Sequence, residues 1–235
     1  MIDFHTHILP GLDDGAKTME ISMEMLSMEQ LQGIEYVVCT PHFSAAKDLS
    51  EYFFKHRDDA IRSVIQTASE KGLEIPHLIP AAEVRLTRGL YKCEYLKSMT
   101  IGDTNYILIE LPYDEWTNKW VPEELYAIKA QTNLKIVLAH AERYISNKKE
   151  FEIMEHNFRH TSVVQINAES FLLREGRKWI KKFIKKGCAI VVGSDCHSSD
   201  HRKPCMNEGL MMIEKKLGKE CKEAFIENAK VILDL

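Results

Sequence analysis

Met1-Ile2-Asp3-Phe4-His5-Thr6-His7 opens the chain with a short apolar run that ends on two imidazoles one residue apart. In an extended strand, residues i and i+2 face the same way, roughly 6.6 to 6.8 Å apart, so His5 and His7 can close on one ion. Such a pair is common by chance, and two polar residues on a solvated strand explain it equally well. The choice depends on whether later segments bring further ligands.

They do so at regular intervals. From Ala16 to Gln32, Met19, Met23, Leu26 and Leu31 recur at helical spacing, and Gly33 supplies a stop. Glu35 to Cys39 is rich in β-formers and runs into Thr40-Pro41-His42, where the proline forbids a helix at its predecessor. A helix from Ser50, its expected cap, to Lys71 ends at Gly72, and the short strand Leu78 to Ala82 ends on Glu83. A helix is expected from about Gly89 to Met99, then the strand Tyr106 to Ile109 with Glu110 at its tip. Val121 to Thr132, opened by Pro122 and two acids, is helical and precedes Lys135 to Ala139, which ends on His140. Helix Lys148 to Asn157, strand Val163 to Ile166 and the basic-faced helix Glu175 to Lys186 follow. Strand Ala189 to Gly193 then delivers Ser194-Asp195-Cys196-His197, and helices Cys205 to Leu217 and Lys219 to Val231 finish the chain.

Seven strands, near residues 2, 36, 79, 108, 137, 164 and 191, thus alternate with helix-compatible sequence, which implies a parallel sheet covered by helices. An open doubly wound sheet favours a glycine-rich turn after its first strand, and none is present. A closed barrel gathers the C-terminal ends of all its strands at one mouth, and six of the seven end in His, Asp or Glu. The expected fold is therefore α/β, a distorted seven-stranded, TIM-like (β/α)7 barrel, in a single domain spanning residues 1–235.

Composition narrows the function. With 45% hydrophobic and 28% charged residues the chain is an ordinary globular protein, and its net charge of −4 offers no general basic field for nucleic acid. No signal peptide and no stretch of membrane-helix length is apparent, so a cytoplasmic location without membrane insertion is expected. The six cysteines form no Cys-x-x-Cys pair, which argues against disulfides or a thiolate zinc site.

At one mouth the candidates are His5, His7, Asp14, His42, Glu83, Glu110, His140, Asp195 and His197. Four carboxylates converging without cations repel one another, at a cost of several kcal/mol. Nine ligands suit two or three ions bridged by carboxylates, and three divalent ions leave a surplus of about two positive charges. That surplus attracts a phosphate dianion. Nitrogen and oxygen donors favour Mn, Fe or Zn, and metal-activated hydroxide is a ready nucleophile. Arg143 and Arg202 lie close in sequence to ligands and offer planar forks to phosphate oxygens. Phe43, Tyr91, Tyr113, Trp116 and Trp120 lie on or near the rim loops and are candidates to grip a phenyl ring.

Asp3-Phe4-His5-Thr6-His7-Ile8-Leu9-Pro10-Gly11-Leu12-Asp13-Asp14-Gly15-Ala16, Thr40-Pro41-His42, Ala82-Glu83-Val84, Ile109-Glu110-Leu111-Pro112, His140-Ala141-Glu142-Arg143-Tyr144 and Ser194-Asp195-Cys196-His197 resemble the polymerase-and-histidinol-phosphatase (PHP) superfamily. Within it they resemble most the bacterial metal-dependent protein-tyrosine phosphatases of capsule and exopolysaccharide operons. The resemblance implies a trinuclear, commonly manganese-activated site and, as substrate, the phosphorylated tyrosine-rich tail of a bacterial tyrosine kinase. It also implies a ligand set: His5, His7, Glu83 and Asp195 on one ion, Glu83 bridging to a second with Glu110 and His140, and Asp14, His42 and His197 on a third. Arg143 and Arg202 match arginines at the phosphate. Ala141 and Cys196 depart from the usual proline and alanine, and neither change removes a ligand.

Three rivals stand beside this reading. Cys196 to Arg202 has the Cys-x5-Arg spacing of a cysteine-dependent tyrosine phosphatase, but its loop lacks glycine. A small phosphomonoester such as histidinol phosphate is a second substrate class. The third is a metal-stabilised binding protein without turnover.

Overall fold

A computed structural model describes every residue except Ala46, Lys47 and Leu49, together with the side chains of all but these and Ser50 and Phe158. The cap expected of Ser50 therefore lies outside what is described. In chain order the elements are β1 (Ile2–Thr6), α1 (Met19–Leu31), β2 (Tyr36–Cys39), β3 (His42–Phe43), α2 (Ser50–Glu70), β4 (His77–Pro80), β5 (Glu83–Arg85), β6 (Tyr106–Glu110), α3 (Trp120–Thr132), β7 (Lys135–Leu138), α4 (Lys148–Asn157), β8 (Val163–Asn167), α5 (Arg174–Lys185), β9 (Ile190–Gly193), α6 (Met206–Leu217) and α7 (Lys219–Leu233). All strand pairs among the described residues are parallel, in two sheets of order β1-β2-β4 and β3-β5-β6-β7-β8-β9.

Each of the seven expected strands is present, but two are broken. After Cys39 the chain passes Pro41 and resumes as β3, and after Pro80 it resumes as β5. Proline has no N–H for the ladder, so pairing shifts at these points from one sheet to the other. Backbone bonds still stitch the break: Thr40 N donates to Thr6 O at 2.9 Å and Ala81 N to Cys39 O at 3.0 Å. At the opposite edge β1 meets the end of β9, where Asp195 N donates to His5 O at 2.8 Å and His7 N to Cys196 O at 2.9 Å.

The helix expected over residues 89–99 is instead two 3-10 turns, Leu90–Lys92 and Leu96–Met99. The first turn is anchored on α3. The Glu124 carboxylate accepts from the backbone N–H groups of Gly89 and Tyr91 at 2.9 and 3.0 Å, and Cys93 is extended. The Glu124 carboxylate thus caps the first turn as a helix N-terminus requires, and the turn stops because Cys93 leaves helical backbone (φ -67°, ψ 114°).

Apolar side chains from most of the strands, among them Val38, Leu108, Val137, Val163 and Val191, form one cluster with Phe4 and with Ala81 at the β4–β5 break. A larger cluster joins the strands to the helices. Between Asp3 and Thr6, β1 carries one residue more than its partner β2, a bulge that re-aims the side chains beyond it. No helix among the described residues is long and apolar enough to cross a membrane.

Candidate metal centre

The strand ends bring all nine predicted ligands into one connected group. Glu83, at the start of β5 and fully buried, is its centre. Its Oε2 lies 3.3 Å from His5 Nε2, 3.2 Å from His7 Nε2 and 2.9 Å from His42 Nδ1, while its Oε1 lies 2.9 Å from His140 Nε2. Glu110 reaches the same His140 nitrogen at 3.8 Å. Asp195 Oδ1 stands 3.5 Å from His7 Nε2 and 3.8 Å from His5 Nε2. Asp14, the most exposed member, lies 3.3 Å from His42 and 3.4 Å from His197.

The donor chemistry fits divalent cations. His7 Nδ1–H donates to Asp13 Oδ2 at 2.7 Å and His5 Nδ1–H to Gln165 Oε1 at 3.0 Å. Both rings therefore turn a lone pair inward from Nε2, and these two nitrogens are 3.1 Å apart. Acceptors so close need a proton or a cation between them, and a divalent cation would equally meet Glu83 Oε2, which is buried and accepts no well-formed hydrogen bond. Three groups of donor atoms lie close enough to share an ion: His5, His7 and Glu83; His42, Glu83 and Glu110; and His7, Asp14, His42 and His197.

Electrostatics report the same crowding. Burial alone pushes the Glu83 carboxyl up, but His5 and the other imidazoles pull it well below the usual range. Burial pulls His7 down, yet Asp13 and Glu83 hold it well above its ordinary value. Glu110 is raised by burial and by facing Glu83, and His197 falls to about 4 through burial and the nearby His7. His140 (φ 29°) and Asp195 (φ 54°) both hold left-handed backbone at strand tips. Such strain costs of order 1–3 kcal/mol and gathers at functional sites.

Arg143 and Arg202 are also brought in. Both guanidinium groups meet Asp195 Oδ2, at 3.1 and 2.8 Å, while remaining 45% and 41% exposed. They flank the ligand group at its open side. The predicted aromatic rim is only partly there. Phe43, Trp116 and Trp120 are packed into the core and Tyr91 is half-buried against it, while Tyr113 is 69% exposed beside Tyr144, which in turn lies against His140.

Several residues of the site escaped the sequence reading. Asp13 orients His7 and also accepts from His42 N at 3.0 Å. On β8, the strand without a ligand, Gln165 Oε1 takes both His5 Nδ1–H and His140 N–H. Its amide then donates to Asn167 Oδ1, and Asn167 Nδ2 donates to Asp195 Oδ2. Glu142 fixes the turn beyond by accepting from Asn167 N and Ser170 Oγ. The available signal was two amides one apart in an apolar strand, the spacing of His5 and His7. Gln165→Leu is expected to weaken divalent-metal binding by roughly 10–100-fold. Equilibrium metal titration checks this, and unchanged affinity would remove the orienting role.

Behind β1, Asp3 Oδ1 accepts from His5 N and Ser194 N, while its other oxygen faces Glu29 of α1 in a fully buried carboxyl pair. Burial, then Asp3, raises Glu29 well above its ordinary value of 4.5. A carboxyl raised on folding contributes stability at low pH that is lost as pH climbs past its unfolded value. Glu29→Gln is therefore expected to raise Tm by a few degrees, with a gain that grows above pH 4.5. Melting curves from pH 4 to 8 test the sign, and a pH-independent difference contradicts it.

The family model for capsular polysaccharide synthesis proteins CpsB/CapC matches residues 1–234. The chain belongs to the CpsB/CapC family. It is 28% identical to the tyrosine-protein phosphatase YwqE of Bacillus subtilis, covering 99% of this chain and 91% of YwqE. It is 29% identical to the tyrosine-protein phosphatase CpsB of Streptococcus pneumoniae, covering 100% and 99%. A solved chain from crystal structures of these two metal-dependent tyrosine phosphatases superposes with a TM-score of 0.83 at 26% identity, over 100% of this chain and 94% of that one. The resemblance to metal-dependent tyrosine phosphatases is thus carried by the whole CpsB/CapC chain.

Proposed function

We propose that this CpsB/CapC chain is a single-domain, metal-dependent protein-tyrosine phosphatase. The observation that carries the reading is Glu83, one buried carboxylate faced by His5, His7, His42 and His140, with two half-exposed arginines at the open side. Relatives of matching length named tyrosine-protein phosphatases support the substrate class. We infer two or three divalent ions, manganese before iron or zinc, held as the resemblance implies: His5, His7, Glu83 and Asp195; Glu83, Glu110 and His140; Asp14, His42 and His197. His7 also approaches the last group. We further infer one distorted seven-stranded barrel, with β2/β3 and β4/β5 each a single interrupted strand; the backbone ties between β1 and β9 support it.

Bound divalent cations supply Lewis acidity, making water a competent nucleophile near neutral pH and neutralising charge on phosphoryl oxygens. Arg143 and Arg202 offer forks to the remaining phosphoryl oxygens, which compete with Asp195 for them. Tyr113 is placed to pack against the phenol ring, and Asp13, Gln165 and Asn167 keep the ligands from reorienting. A phenolate with pKa about 10 leaves with little help from a proton donor. The partner inferred is a tyrosine-phosphorylated bacterial kinase tail, met in the cytoplasm; six free thiols accord with a reducing compartment.

The cysteine route fails on geometry. Cys196 is fully buried, its sulfur 4.0 Å from Glu29, and burial followed by Glu29 and Asp3 pushes its thiol well above the usual range. A nucleophilic thiolate needs the opposite. Cys196→Ser is expected to keep aryl-phosphate hydrolysis within about threefold of wild type, while a chelator abolishes it; the reverse pattern would make the cysteine the nucleophile. Initial rates on a phosphotyrosine peptide and on histidinol phosphate separate the two substrate classes. Preference for histidinol phosphate would overturn the assignment, and no hydrolysis of either would favour a binding protein.

A further inference from the structure

The twelve residues of α5 carry six cations and one acid, a surplus of five in a chain of net charge −4, so the remainder stands at −9. At 3.6 residues per turn, Arg174, Lys178, Lys181 and Lys185 fall within about 60° of one another. This stripe lies opposite the buried Trp179, Ile180 and Phe183. Lys178 meets Glu175 at 2.7 Å, and Lys182 lies over the Trp179 and Phe151 rings. Arg174, Lys181 and Lys185 have no acid partner among the described residues. Beside the stripe, Leu172 and Leu173 are 40% and 60% exposed immediately before the helix, and Ile184 is 36% exposed near its other end.

The geometry points to α5 as a docking surface for an anionic phospholipid bilayer. Charge complementarity chooses an anionic occupant, and the apolar flank chooses lipid. Lysine stems lie along an interface with their ammonium groups among headgroups, and convex exposed leucines enter the boundary region. A single-stranded nucleic acid would use stacking aromatics, but Trp179 and Phe183 face the core, and a duplex, bound through its phosphates, has no use for the exposed leucines. An acidic peptide would gain from an apolar anchoring pocket, whereas the hollow here is lined by Arg174, Glu175, Arg177, Lys178 and Lys181. The leucine end adjoins the turn whose Ser170 holds Glu142, next to Arg143, so docking sets the ligand-bearing mouth beside the headgroups. None of these side chains is a candidate ligand, so the inference stands apart from the phosphatase reading.

The test is sedimentation of the full chain with vesicles of phosphatidylcholine alone or with about one third phosphatidylglycerol. Binding is expected only to the anionic vesicles, and it should weaken as salt rises. Lys181→Ala/Lys185→Ala should lower partitioning by roughly 30-fold. Leu173→Ser should lower it several-fold, and both variants should keep the wild-type circular dichroism and aryl-phosphate turnover. Absence of binding to anionic vesicles at low salt overturns the proposal. So do binding that ignores both variants, and capture by polyglutamate or duplex DNA in preference to vesicles.

Discussion

Glu83→Gln is expected to lower phosphatase activity by at least on the order of 10²–10³-fold while leaving the chain folded. The substitution keeps the size of a fully buried side chain and removes only its charge. Because four imidazoles address the two oxygens of this one carboxylate, its neutral amide disturbs two of the three candidate groups directly and reaches the third through His7 and His42. A ligand that binds only the folded state raises Tm by mass action, so the Tm gain expected of wild type with manganese should largely vanish. Steady-state kinetics and melting with and without metal check both halves. Retained activity with an intact metal response would remove Glu83 from the centre.

Gly193→Ala comes next in expected size. A Cβ at Gly193 would sit 2.6 Å from His5 Cβ and 2.7 Å from His5 N. Neither neighbour is a flexible tip, so β9 must move away from β1. Overpacking of this kind costs typically 1–3 kcal/mol, which for a chain of this length lowers Tm by roughly 2–12 °C. The same shift parts Asp195, two residues on, from His5, so metal affinity should fall with stability. Equal Tm and equal metal binding in the variant would mean that the β1–β9 contact does not hold the site.

The candidate ligands were legible because metal chemistry would require charged or imidazole side chains where apolar strands end. His42, Glu83, Glu110, His140 and Asp195 each stand out against the run before them. The repeated one-apart spacing at His5/His7 and Asp195/His197 marked the two strand ends that the structure ties together. The supporting residues were harder to see. Gln165 and Asn167 are neutral amides that act only on side chains from other strands, and Asp13 stands beside an equally plausible Asp14. The carboxylate that anchors the turn at Gly89 and Tyr91 comes from Glu124, some 30 positions away, which local periodicity cannot register. The strand breaks after Cys39 and Pro80 were marked by prolines, but their effect on pairing belongs to the sheet.

Arg143 and Arg202 illustrate the same boundary. Their nearness in sequence to ligands placed them at the site, yet both converge on Asp195, a contact no motif specifies. The account therefore rests on the ligand group. Its most direct measurement is elemental analysis of the purified chain paired with hydrolysis of a phosphotyrosine peptide, before and after chelation and after manganese is restored. Two or three divalent ions per chain, activity lost with them and regained with manganese is the predicted result. Full turnover by a chain stripped of metal would contradict it.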